Sequence, residues 1–187
     1  MSRIRAYVDE AVPRTGAAYL LTCALVADAD ISAVRDVLYA IRRPSERKVH
    51  WHDRLPKEHL SLASVVAGLA ATHLIVVRDT DLDEPIERRR RKCLERLLWT
   101  LDQRGDVQQV VLEARQTRQN ERDRKILDVM RASRVVGASL RMEHMPGPRE
   151  PLLWIPDIVA GAYSDLLAGA EATFAPIADS VEVIVVG

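Results

Sequence analysis

Aromatic residues are scarce in this sequence: one Phe, three Trp and four Tyr among 187 residues, 4 per cent. That scarcity counts against a single-strand binder working by base stacking. There is no apolar run of about 18 residues, so no membrane-spanning helix is expected. Asp9 and Glu10 interrupt the first short apolar stretch, which leaves no signal-peptide core. No Gly-rich phosphate loop is present, and Ser61 and Ser64 lack a nucleophile-elbow setting. Formal net charge is zero, which excludes an evenly basic nucleic-acid binder but leaves room for a local basic patch. Lysine occurs only at Lys48, Lys57, Lys92 and Lys125; the remaining positive charge is arginine, which suits bidentate phosphate contacts. The two cysteines form no disulfide or metal framework. Cys23 reads as core and Cys93 as a surface or half-buried thiol, a usage that fits a reducing cytoplasm.

What is there is enough for one packed domain spanning 1–187, with 48 per cent hydrophobic residues and 29 per cent charged. Residues 4–8 alternate and predict a strand ending at Asp9. Turn chemistry at 11–16 then joins it to an apolar strand over 17–27. Helical spacing predicts helices over 31–41, 56–71, 85–103, 120–133 and 155–170. Strands are expected at 73–77, 107–113, 138–143 and 181–186, with a short one around 49–51 and a loop at 145–151. On the 85–103 helix the inner face is read as Ile86, Leu94, Leu97, Leu98 and Leu101. Strands alternating with helices after an opening hairpin argue for an α/β architecture on a mixed sheet.

Three acids stand at the ends of these elements: Asp9 closing the first strand, Glu113 closing a later one, and Asp157 opening the last helix. Sites in open α/β sheets form at such strand ends. Carboxylates brought together repel unless a cation sits between them, and an all-oxygen set suits a hard divalent ion. Asp157 also gains from the helix dipole. Ala160 and Gly161, one turn on, are small enough to let the helix approach the sheet. The chemistry this defines is metal-dependent phosphoryl transfer.

Basic residues divide into two groups. Arg115, Arg118 and Arg122 follow Glu113 and are placed to hold a nucleic-acid backbone, with Lys48 and His50 as further phosphate contacts. The run from Arg88 to Lys92 has Glu84, Glu87 and Glu95 nearby and reads as a solvated helix face. His50 and His52 would share a strand face, but no Cys or further His completes a zinc site.

The segments Tyr7-Val8-Asp9-Glu10-Ala11 and Pro151-Leu152-Leu153-Trp154-Ile155-Pro156-Asp157-Ile158-Val159-Ala160-Gly161-Ala162 resemble those of a bacterial domain-of-unknown-function family with a ribonuclease-H-like fold. That family tends to begin with an Asp-Glu-Ser-type strand and to end with an Ala-Asp-x-x-Ala-Gly-type helix. Glu113-Ala114-Arg115 with Asp123 and the stretch 46–52 match its intervening motifs. Ala11 stands where the family has Ser, and Pro156 where it has Ala; neither change removes a carboxylate. The resemblance implies a mixed central sheet, helices on both faces and a helical insertion after the first hairpin. It implies magnesium or manganese held by Asp9, Glu113 and Asp157, with Asp123 as a fourth ligand. It also implies nuclease activity on RNA or DNA, with nucleic acid as a candidate partner; a homodimer is a separate expectation. The rival readings are a non-catalytic nucleic-acid or protein binding module on the same fold, and a small-substrate metal-dependent phosphatase.

Overall fold

A computed structural model of the chain describes residues 3–13, 16, 18–79 and 83–187. Arg14, Thr15 and Ala17, from the expected hairpin turn and the start of its second strand, lie outside them. Among the described residues the sheet has six strands: β1 Ile4–Ala11, β2 Ala18–Ala27, β3 Ala71–Asp79, β4 Val107–Glu113, β5 Arg141–Met145 and β6 Val181–Val186. Their spatial order is β5-β4-β1-β2-β3-β6. β2 runs antiparallel to both neighbours, and the remaining pairs are parallel. The sheet is therefore mixed, as the sequence predicts.

The helices are α1 Ile31–Ile41, α2 Pro56–Ala67, α3 Ile86–Arg104, α4 Thr117–Ala132 and α5 Trp154–Leu167. α1, α2 and α5 cover one face with Tyr7, Ile75 and Val111; α3 and α4 cover the other with Val8, Val76 and Leu112. This split follows from the two-residue period of the strands. β2 carries buried residues at nine of its ten positions because both its faces are covered. α1 and α2 lie between β2 and β3, the expected insertion.

Several boundaries move. β1 runs on to Ala11, so Asp9 does not close it; β1 continues beyond Val8 paired with β2 alone. Residues 49–51 form no strand, and a single 3₁₀ turn occupies Trp51–Asp53. The expected 145–151 loop holds two short 3₁₀ turns, Gly147–Arg149 and Pro151–Leu153. β5 starts at Arg141 rather than 138: Gly137 N–H is drawn to Asp102 Oδ1 at 2.9 Å, and the Arg131 guanidinium donates to the Leu140 carbonyl. α4 begins three residues early, where Gln119 Oε1 accepts the Gln116 N–H at 3.3 Å and caps the helix. Cys93 is fully buried in α3, not a surface or half-buried thiol, and Ile86 is exposed rather than on the inner face.

Candidate active site

Register places the first two acids. Val8 pairs with Leu112 as the last parallel pair of β1 and β4, and both side chains enter the α3–α4 core. Side chains alternate, so the next residue on each strand, Asp9 and Glu113, emerges on the α5 side. The two carboxylates stand just past that last pair, near enough for the charge of Glu113 to act on Asp9. α5 packs on β1 and β2 on that same side and brings Asp157 in its first turn. Asp9, Glu113 and Asp157 line one cavity of about 230 Å³, together with Lys48 and His50.

Each acid is held differently. Asp157 Oδ2 accepts the Trp51 backbone N–H at 2.7 Å, and Oδ1 lies 2.6 Å from His50 Nδ1. Its bond to Asp157 raises the His50 pKa above the ordinary value, against burial, which lowers it. Glu113 Oε1 accepts from Lys48 Nζ at 2.7 Å, while its buried Oε2 has no partner. A Cβ at position 147 would come within 2.6 Å of Glu113 Oε1, so only Gly147 leaves room for the carboxylate there. Asp9 Oδ1 accepts the Glu10 N–H at 2.8 Å. Burial, then the charges of Glu113 and Asp157, push the Asp9 carboxyl well above its usual range, and the Glu10 N–H and Lys48 offset only part of that. Burial pulls the Lys48 ammonium down, but the bond to Glu113 and the charges of Glu113, Asp9 and Asp157 outweigh it.

Behind this wall, on the opposite face of the sheet, lies a buried charge network. Arg90 donates to Asp123 through Nε at 3.1 Å and Nη2 at 2.8 Å, and also to Glu10. Tyr19 donates its hydroxyl to Glu10. His144 Nε2 lies 3.1 Å from Asp123 Oδ2, and Arg115 Nη2 reaches Asp123 Oδ1 at 3.3 Å. Asp123 thus does not join Asp9, Glu113 and Asp157. It is buried rather than solvated, and its oxygens are committed to two guanidiniums and an imidazole. Burial alone would raise its carboxyl; the bonds from His144 and Arg90 instead hold it far below the ordinary range.

Arg115 lines the cavity yet is tied to Glu87 at 2.9 Å and to Asp123, so it stands among protein acids rather than free for a phosphate. Arg118 and Arg122 are exposed on the first turns of α4. The Arg88–Lys92 run is only partly a solvated face, because Arg89 and Arg90 are buried. Sequence reasoning missed Arg90, Glu10 and the Trp51 N–H. Arg90 was visible in principle: it precedes Leu94 by four residues and Leu97 by seven, which sets it on the buried stripe of α3.

The donor set is hard carboxylate oxygen with an orphaned Glu113 Oε2, which chemically fits a magnesium-class ion. Among the described residues, however, no three His, Cys, Asp or Glu side chains stand at a spacing that would hold one ion as they are.

The six-stranded mixed sheet, in the order β5-β4-β1-β2-β3-β6 with helices on both faces, has the ribonuclease-H-like fold of a solved structure. That structure is the ribonuclease H2 from Pyrococcus horikoshii OT3, with a TM-score of 0.61 and 12% identity over 89% of this chain and 74% of that one. At that identity the likeness is one of fold. No protein-family model matches the chain and neither does any curated protein, so the likeness to the bacterial family rests on its motifs. No helix among the described residues is long and apolar enough to cross a membrane.

Proposed function

We propose that this chain is a single-domain, metal-dependent phosphodiester hydrolase of ribonuclease-H-like type, a member of the bacterial family its motifs resemble, acting on RNA or DNA in the cytoplasm. The observation that carries the reading is the meeting of Asp9, Glu113 and Asp157, from two strands and a helix, in one cavity at the sheet's end. Asp9, Glu113 and Asp157 would hold magnesium or manganese once drawn closer together; Asp123, committed to Arg90, Arg115 and His144, would not. The ion would supply neutralisation of phosphate charge and an activated water. Lys48 and His50 contact phosphate oxygens, and Asp157 keeps the imidazole oriented through Nδ1. Arg118 and Arg122 hold the backbone farther out, where phosphate contacts set register rather than sequence.

The cavity's size favours this reading over a phosphatase that encloses a small substrate. At about 230 Å³ it falls below the roughly 300–1,000 Å³ that encloses a drug-sized ligand. It admits a phosphodiester while the rest of a polymer lies outside.

The test is cleavage of labelled RNA and DNA oligonucleotides with magnesium. Asp9→Asn abolishes cleavage while its circular dichroism matches the parent; undiminished cleavage by that variant would discard the mechanism. One observation favours the second reading, a non-catalytic binding module: Lys48 and His50 already engage two of the three acids. A module that holds no metal gains no thermal stability from magnesium, whereas an ion bound at 100 times its dissociation constant adds about 2.7 kcal/mol.

A further inference from the structure

The three acids sit together without the spacing that would close on one ion, and the side chain standing among them is Lys48. Its Nζ takes Glu113 Oε1 at 2.7 Å and leaves Glu113 Oε2 buried with no partner. Arg90 and Arg115 also line the cavity, but their guanidiniums are committed to Glu10, Asp123 and Glu87. Lys48 is therefore the cation that bonds the carboxylate cluster from the α5 side beside His50.

The supports of the two partners differ. Glu113 ends a paired strand, and Asp157 sits in a helix locked by the Trp51 N–H. Lys48 lies on a stretch with neither helix nor strand, anchored next door by the buried Val49 and Trp51. Its four-carbon stem carries three donors on a single pivot, so the ammonium can leave Glu113 without moving the backbone. Like charges cannot share a small carboxylate site: a divalent ion entering beside Glu113 meets the ammonium at close range.

We propose that Lys48 is the built-in counter-ion of this site: its ammonium holds the carboxylates in the metal-free protein and is displaced from Glu113 when a divalent cation binds. The displaced ammonium remains beside the cavity, where an incoming phosphate offers it a new acceptor. Metal binding thereby comes before phosphate binding and prepares it. Lys48 acts as a positioning residue toward the ion, and the inference rests on the carboxylate reading above.

The experiment is manganese titration of the purified chain, followed by the paramagnetic signal of free manganese and by calorimetry, for the parent, Lys48→Met and Lys48→Gln. Removal of the competing ammonium tightens manganese binding by about tenfold or more, the size of one charge-assisted hydrogen bond. Without metal, both variants melt below the parent, because three acids are left without their lysine. Their manganese-induced rise in melting temperature exceeds the parent's. Manganese binding that is unchanged or weaker in both variants overturns the counter-ion role and leaves the carboxylate site standing. Absence of binding in the parent and in both variants overturns the metal reading and this inference with it.

Discussion

Replacing Gly161 with alanine tests how the site is braced. An added Cβ would meet Trp51 Cγ at 2.2 Å, Cδ1 at 2.4 Å and Cδ2 at 2.5 Å. Ordinary carbon contacts lie near 3.5–4.0 Å, so the indole must retreat by more than 1 Å. It has nowhere to go: Trp51 is buried and stacked on His59, with ring centroids 3.9 Å apart. Overpacking of this kind costs typically 1–3 kcal/mol, and the closeness here argues for about 3. Alanine recovers about 1 kcal/mol of helix propensity, which leaves a net loss of about 2 kcal/mol. For a chain of this length that lowers the melting temperature by roughly 4–8 °C. The assay is thermal unfolding of Gly161→Ala in two backgrounds. With Trp51→Leu the obstacle is gone, and Gly161→Ala becomes neutral or stabilising by about 1 kcal/mol. Equal destabilisation in both backgrounds refutes the packing argument.

Asp123→Ala leaves Arg90 buried without its main partner and costs about 3–5 kcal/mol in urea unfolding. Because Asp123 is outside the carboxylate site, Asp123→Asn still binds manganese, whereas Asp9→Asn does not. The buried carboxyl of Asp123 is depressed, so its contribution is present above pH ~4 and lost as pH falls below that. His73 is buried with both ring nitrogens unpaired, and burial lowers its pKa to about 4. The unfolded chain binds a proton there near pH 6.5 and the folded one only near 4, so stability is lost as pH falls through that window, by about 3 kcal/mol in all. His73→Leu flattens the slope of melting temperature against pH between 6.5 and 4; an unchanged slope contradicts the assignment.

Most of the strands, the insertion and the gathering of Asp9, Glu113 and Asp157 in one cavity were legible from period and from where apolar runs stop. Asp9 and Glu113 sit in sequence just after apolar runs, and strand alternation sends both to one face. The β4–β5 register was not legible, because a side chain 35 residues away, Asp102, captures Gly137 and delays β5. In sequence Gly161 offers room for the sheet, but its space is filled by Trp51, a residue 110 positions earlier that no local pattern connects to it. The charge network was hidden for a different reason. Asp123 looks solvated among the charges of α4, and although its spacing sets Arg90 on the buried stripe of α3, only the packing of α3 on α4 shows that each neutralises the other. Cys93 was readable after all: it precedes Leu97 and Leu101 by four and eight residues, on the same buried stripe.

The gathering of Asp9, Glu113 and Asp157 around a divalent ion is tested most directly by anomalous diffraction from crystals soaked in manganese. A single-site or paired anomalous peak is expected roughly 2.1 Å from oxygens of those three side chains, with Lys48 Nζ withdrawn from Glu113. Saturating manganese that leaves no peak there, with the Lys48–Glu113 bridge intact, contradicts that gathering.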